Sequence, residues 1–132
     1  MILLDANILF DIWDPDPVWC AWSTRQLKAQ SQMHDLAINP IVYSEISVSF
    51  AGQTEVDDRL DAMEIGVLDI PRAAAFLAGK AYVHYRRKGG TNANVLPDFF
   101  IGAHAAVLGC TLLTRDTRRY STYFPTVRLI SP

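Results

Sequence analysis

Short apolar runs alternate with longer helical segments along this chain, and the alternation restricts the fold more than any other feature. The first run, "ILL", is continuously apolar, as in a parallel strand covered on both faces, and "CTLLT" is a later, mainly apolar run. Strands joined through helices require right-handed crossovers. Strands are predicted over residues 1–4, 35–38, 66–70, 110–114 and 127–130. The sequence therefore predicts an α/β fold, a three-layer α/β/α sandwich with a central, mostly parallel sheet.

Local chemistry predicts where the helices begin and end. Asn7 is expected to cap a short helix through residue 12, and Asn39 precedes Pro40 as the cap of another. Arg86, Arg87 and Lys88 before Gly89 form a strong stop signal. Helices are predicted over residues 7–12, 17–31, 40–50, 71–88 and 97–108, with one more starting near residue 54.

Length and composition limit the class of protein. A chain of 132 residues, half of them apolar, is expected to form one domain over residues 1–132. No apolar run approaches the roughly 20 residues that cross a bilayer, and the first run stops at Asp5, unlike a signal peptide. Cys20 and Cys110 have no partner spacing and are expected to be reduced. These features favour a cytoplasmic protein with no membrane partner.

Four carboxylates fall where a parallel sheet can collect them at one edge. Asp5 and Asp116 follow strands, whereas Glu45 and Asp98 lie in the early turns of helices. One isolated Asp is usually a helix cap or a surface charge. Four gathered carboxylates would repel one another unless a cation neutralised them. Oxygen ligands without a His or Cys cluster favour Mg²⁺ or Mn²⁺, which can activate water for attack on a phosphodiester.

The charge balance is compatible with a polyanionic substrate once these acids are set aside. The chain has 14 acidic and 12 basic residues, a net charge of −2. Removing the four proposed ligands leaves 10 acids, so the remainder carries +2. Basic residues cluster at positions 86–88 and 115–119, beside the proposed site. Such clusters suit a nucleic-acid backbone, although a helix C-cap and a solvated turn explain each cluster about equally well.

At these residues the chain resembles the PIN-domain ribonucleases, and in particular the VapC-type toxins of bacterial toxin–antitoxin pairs. The matching segments are "LLDANIL", "VYSEIS" around Glu45, "LPDFFIGAHA" around Asp98, and "LLTRDTRRYSTYFPTVRLI". The resemblance implies a metal-dependent endoribonuclease whose catalytic and metal-binding quartet is Asp5, Glu45, Asp98 and Asp116. It also implies an RNA substrate, neutralisation by a VapB-type antitoxin protein, and a homodimer.

The resemblance assigns supporting roles as well. Asn7 and Thr114 would be polar supports beside the acids. From the residue types rather than from the resemblance, Arg86 and Arg115 are expected to contact the RNA backbone. Many relatives carry Ser or Thr between the first Asp and the Asn, where this chain has Ala6. A hydroxyl from that position is therefore absent here.

Two other functions are compatible with parts of the pattern. A phosphatase of the haloacid-dehalogenase type also opens with a strand ending in Asp, but its general acid is a second Asp where this chain has Asn7. A non-catalytic RNA-binding or partner-binding module would keep the fold, yet it would be expected to lose acids that are retained here. Of the remaining polar residues, His104 is expected to be packed, and Asp11, Asp14 and Asp16 are expected to serve turn chemistry.

Overall fold

A computed structural model describes all residues from Met1 to Pro132. Its centre is a five-stranded sheet in which every neighbouring pair is parallel. The strands are β1 (Ile2–Leu4), β2 (Leu36–Ile38), β3 (Ile65–Val67), β4 (Thr111–Leu113) and β5 (Leu129–Ile130). All five predicted strands are thereby confirmed, with bounds shifted by one to three residues.

The strand order in space is β3-β2-β1-β4-β5. The chain builds outward from β1 to β3, then returns to place β4 on the other side of β1. Right-handed crossovers in opposite directions put helices on both faces of the sheet. The predicted three-layer α/β/α sandwich is confirmed. The order reverses between β1 and β4, and in open α/β sheets ligands bind beyond the carboxyl ends of the strands at such a point.

Seven α-helices and one 3₁₀ turn, Ala93–Val95, connect the strands. The helices are α1 (Ala6–Trp13), α2 (Cys20–Ser31), α3 (Pro40–Ser47), α4 (Gln53–Ala62), α5 (Arg72–Arg87), α6 (Leu96–Leu108) and α7 (Arg118–Tyr123). The predicted cap of α3 is confirmed, since Asn39 Oδ1 accepts from the Ile41 and Val42 amides.

Two predicted helix starts were wrong, and one helix was missed. Asn7 lies inside α1, and the N-cap is Asp5, whose carboxylate accepts from the Ala6 amide. Helix α2 begins at Cys20 rather than at Pro17, because Asp16 first closes a turn by accepting from the Val18 and Trp19 amides. Helix α7 was not predicted at all. Its six residues contain no repeating apolar pattern to mark it.

The core places the elements that carry the acids. Leu3, Leu4, Leu112 and Leu113 are fully buried in the neighbouring strands β1 and β4. An aromatic cluster joins the C-terminal half of α5 to the start of α6 and to α7, with ring centroids 5.1–6.5 Å apart among Tyr82, Tyr85, Phe99, Tyr123 and Phe124.

A glycine allows the close approach of the segment after α7. The Phe124 ring lies against the backbone of Gly102 in α6, where a Cβ atom would overlap the ring. Position 102 therefore holds the C-terminal end of α7 close to α6. None of the helices is both long and apolar enough to span a lipid bilayer.

Candidate active site

The carboxyl ends of β1 and β4 are joined by side chains. Asp5 directly follows β1, and its amide donates to the Leu113 carbonyl at 3.0 Å. Thr114, directly after β4, donates from its hydroxyl to Asp5 Oδ2 at 2.8 Å. These two neighbouring strands therefore place the first predicted acid and a predicted polar support at the reversal point of the sheet.

The Asp5 carboxylate is almost fully enclosed, with 6% of the residue exposed. Oδ1 accepts from the Ala6 amide at 2.7 Å, and Oδ2 also accepts from the Tyr120 hydroxyl at 3.0 Å. Burial raises the pKa of Asp5, the Thr114 hydrogen bond lowers it, and the Asp98 charge raises it again, with a net rise. Asp5 is thus rigidly held but electrostatically costly as an anion.

Glu45 has the least satisfied carboxyl group of the four. It lies in the second turn of α3, and Oε1 is buried with no hydrogen-bond partner. Burial, followed by the charges of Asp5 and Asp98, raises the pKa of Glu45 to about 7. Buried carboxylate oxygens normally have partners, so this orphaned oxygen is suited to binding a cation.

Asp98 lies in the first turn of α6 and pairs with a cation of the chain itself. Arg119 Nη1 donates to Asp98 Oδ2 in a short ion pair. Burial raises the pKa of Asp98, Arg119 only partly offsets this, and the Asp116 charge raises it further. The pKa of Asp98 therefore depends on the charge of Asp116 as well as on that of Arg119.

Asp116 is exposed beyond the end of β4. Its Oδ1 accepts from the Arg118 amide at 3.1 Å, and its own amide donates to Thr114 Oγ1 at 3.0 Å. Its charge helps to raise the pKa of Asp98 and of buried Tyr120. The fourth acid is thus within electrostatic reach of Asp98, but its carboxylate faces solvent.

The four acids share one edge but do not share one coordination point. In this structure no three His, Cys, Asp or Glu side chains are arranged to hold a single ion. The donor chemistry nevertheless suits Mg²⁺ or Mn²⁺, because the donors are carboxylate oxygens and one of them is buried without a partner. At the same edge, Arg119 forms an ion pair with Asp98.

Asn7 bridges the two strand ends. Its Nδ2 donates to Asp5 Oδ2 at 3.3 Å and lies 3.4 Å from Thr114 Oγ1, and its Oδ1 accepts from the Arg115 amide at 3.3 Å. All of these contacts use the amide as a donor and acceptor of hydrogen bonds rather than as an acid. The two hydroxyls of Thr114 and Tyr120 reach Asp5 although position 6 is alanine.

The two arginines predicted to contact RNA lie in different surroundings. Arg115 forms a bidentate pair with Asp11, at 2.7 and 2.9 Å, and its guanidinium lies 5.3 Å from the Trp19 ring centroid. The charge of Arg115 is therefore already paired with an acid of the same chain. Arg86, by contrast, is exposed in the last turn of α5.

Three contributors to the site region were missed by sequence reasoning. Asp11 was expected in turn chemistry, yet it is buried inside α1, where Ser23 and Arg115 satisfy it. Arg119 was noted only as one member of a basic cluster, and Tyr120 was not noted. The available signal was weak, because an Arg-Arg-Tyr sequence after a strand gives no indication of which acids it will face.

A comparison with protein-family models decides the family. The PIN domain model matches residues 2–125. The chain belongs to the PIN-domain family. A search of curated protein sequences finds no significant match.

Solved structures similar to this PIN domain share its fold at low sequence identity. The VapBC2 complex from Rickettsia felis, bound to a promoter DNA fragment, is 21% identical with a TM-score of 0.72, covering 99% of this chain and 98% of that one. VapBC-1 from nontypeable Haemophilus influenzae is 17% identical with a TM-score of 0.74, at the same coverage. FitAcB from Neisseria gonorrhoeae is 21% identical with a TM-score of 0.69, covering 100% and 98%. These likenesses extend over the whole PIN domain.

Proposed function

We propose that this PIN domain, as one domain over residues 1–132, is a divalent-metal-dependent endoribonuclease of the VapC toxin type. The observation that carries the proposal is the buried, unpartnered Oε1 of Glu45 beside Asp5 and Asp98, at the reversal point of the sheet. Acids whose mutual charge raises their pKa values are costly unless a cation joins them. The PIN family and the toxin–antitoxin complexes that share this fold support the same function.

The proposed roles follow from the contacts. Asp5, Glu45, Asp98 and Asp116 would hold Mg²⁺ or Mn²⁺, which would supply an activated water and charge stabilisation for in-line attack on an RNA phosphodiester. Thr114 and Asn7 orient Asp5 through hydrogen bonds. Cleavage would leave a 5′-phosphate and a 3′-hydroxyl.

The direct test is RNA cleavage by the purified chain. With Mn²⁺ present, internal cleavage of single-stranded RNA is expected, and a chelator should stop it. Asp5→Asn should reduce the rate roughly 100-fold or more, because it removes one ligand charge from the site. Asp61→Asn, at an exposed position of α4, is the matched control and should retain full activity.

Other outcomes separate the rival functions. Tight RNA binding without turnover, at any metal concentration, would favour a non-catalytic binding module. Release of inorganic phosphate from a small monoester with intact RNA would favour a phosphatase. The structure gives the phosphatase little support, because the amide of Asn7 is held by three neighbours and cannot act as a general acid.

The toxin role adds partners that can be tested in cells. We expect a cytoplasmic homodimer that is neutralised by a VapB-type antitoxin. Expression should arrest growth, and co-expression of a short reading frame directly upstream should relieve the arrest. Asp5→Asn should remove toxicity while the variant still co-purifies with that partner. Light scattering on the purified chain would test the dimer.

A further inference from the structure

Two consecutive residues of helix α7 donate hydrogen bonds to two of the four acids. Arg119 donates to Asp98, and the Tyr120 hydroxyl donates to Asp5. Tyr120 is 1% exposed and is fixed in the core, whereas the Arg119 side chain is 30% exposed. One partner on this helix is therefore enclosed in the core, whereas the other reaches the protein surface.

Arg119 is the only cation that pairs with any of the four acids. The structure has two salt bridges, and the other one joins Arg115 to Asp11. In this arrangement Arg119 holds Asp98, while no three acids are placed to share an ion. The structure in which Arg119 neutralises Asp98 is thus also one in which no three acids form a cluster.

We propose that Arg119 is a displaceable internal counter-ion, which holds Asp98 in the metal-free protein and must leave Asp98 when a divalent cation binds. The inference rests on the proposed function, since that function assigns a cation to these acids. A divalent cation carries twice the charge of a guanidinium, so it can replace Arg119 at the carboxylate. Moving a partly exposed guanidinium into water carries only a small energetic cost.

The test is metal affinity, measured without RNA. Mn²⁺ is titrated into the metal-free protein, with binding followed by calorimetry or by electron paramagnetic resonance of free Mn²⁺. Arg119→Gln removes the competing charge and should tighten Mn²⁺ binding by roughly three- to tenfold. The matched control is Arg118→Gln, on the same helix, which removes the same charge from an exposed side chain that pairs with no acid. It should bind Mn²⁺ as the unmodified chain does, within about 1.5-fold.

Thermal unfolding distinguishes competition from a merely structural role. Without metal, Arg119→Gln should unfold at a lower temperature than the unmodified chain, because Asp98 loses its only cation. Saturating Mn²⁺ should restore most of the difference, since the ion then neutralises Asp98 in both proteins. A merely structural arginine would lower the unfolding temperature equally with and without Mn²⁺, and its removal would weaken metal binding.

The outcomes separate this inference from the nuclease proposal. If Arg119→Gln leaves Mn²⁺ affinity unchanged or weakens it, while the unmodified chain binds Mn²⁺ and cleaves RNA, the counter-ion role is overturned and the nuclease stands. If Arg119→Gln tightens Mn²⁺ binding but neither protein cleaves RNA, the counter-ion role stands and the nuclease fails. If neither protein binds Mn²⁺, both are overturned.

Discussion

The acidic residues in this site differ in how many hydrogen bonds and ion pairs the rest of the chain provides to their carboxylates. Asp5 accepts hydrogen bonds from an amide and two hydroxyls, and Asp98 pairs with Arg119. Glu45 has a buried oxygen with no partner. Groups left unsatisfied in a folded protein lower its stability and often mark functional positions. If Glu45 binds a cation as proposed, it is the residue at which that role and the stability of the metal-free protein oppose each other most directly.

Glu45→Gln should stabilise the metal-free protein and abolish cleavage. Glutamine keeps the shape of the side chain but removes a charge that sits beside Asp5 and Asp98. At pH 8, where the carboxyl group is ionised, the unfolding temperature should rise by roughly 2–5 °C. Calorimetry in a chelating buffer measures this rise. The control is Glu64→Gln at an exposed position, and equal shifts in both variants would contradict the argument.

At the scale of elements, a buried histidine links two helices that carry acids. His104 of α6 is fully buried, and its Nδ1 lies 3.3 Å from Asn39 Nδ2 at the start of α3. Asn39 Oδ1 already accepts from two amides, so its Nδ2 faces the ring and Nδ1 must be the acceptor. The neutral ring then carries its proton on Nε2, which has no partner. The expected packed role of His104 agrees with this position.

Burial lowers the pKa of His104, which gives a pH dependence of stability. In the unfolded chain His104 takes up a proton near pH 6.5, whereas in the folded chain it does so only at lower pH. The stability that the neutral ring contributes is therefore fully present above about pH 6.5 and decreases as the pH falls. Denaturation at pH 7.5 and pH 5.0 measures the decrease. His104→Leu should lose less stability over this range than the unmodified chain, whereas His34→Gln, at an exposed position, should behave as the unmodified chain. Identical pH slopes in all three would contradict the assignment.

The C-terminal half of α5 presents a group of basic residues, and under the proposed function we expect it to contact the RNA backbone. Its aromatic residues pack against α6 and α7, and Lys80, His84, Arg87 and Lys88 line an open hollow of about 500 Å³ together with Val83. Arg86 is exposed in the same turn. Such a surface could bind several phosphates through its cations, and the four acids would remain available to bind the metal ion.

Arg86→Gln combined with Arg87→Gln should weaken RNA binding without changing Mn²⁺ affinity. Removing one cation that neutralises a phosphate should reduce the slope of log affinity against log salt by about 0.7, or roughly 1.4 for the pair. Fluorescence anisotropy with labelled single-stranded RNA at several salt concentrations measures the slope. The control pair, Arg25→Gln and Lys28→Gln, lies on α2 and removes the same charge. If the control weakens binding equally, the effect belongs to net charge and not to α5.

At the scale of the whole molecule, the reversal in strand order assembles the site from distant parts of the chain. Asp5 and Thr114 are separated by 109 residues and are joined by a hydrogen bond. The site therefore exists only in the folded chain. A cation that binds it stabilises the fold by mass action, because the unfolded chain cannot gather the same acids.

Mn²⁺ should raise the unfolding temperature of the unmodified chain. At a concentration 100 times the dissociation constant the gain is about 2.7 kcal/mol, roughly 8–12 °C for a chain of this size. Asp5→Asn should show little of this rise, and Asp61→Asn should show all of it. Differential scanning calorimetry with and without a chelator measures the effect. An equal rise in Asp5→Asn would indicate that Mn²⁺ binds elsewhere.

Much of the fold was predictable because its signals are local. Apolar runs marked the strands, Asn39 with Pro40 marked a helix start, and cations before Gly89 marked a helix end. The same local signals put Asp5 and Asp116 after strands, hence at one edge of a parallel sheet. Helix α7 escaped prediction because it is short and has no apolar period, and its position depends on the aromatic contacts that Tyr123 makes with α5 and α6.

The sequence by itself determined the layered α/β architecture and the order of the acids along it, since apolar periodicity and capping chemistry act over a few residues. Only the tertiary structure decided which charges meet. Arg115 pairs with Asp11 across 104 residues and Arg119 pairs with Asp98 across 21, although both arginines occur in one short segment. The physical reason is that an ion pair forms wherever packing brings two charges together, and no local pattern encodes that distance.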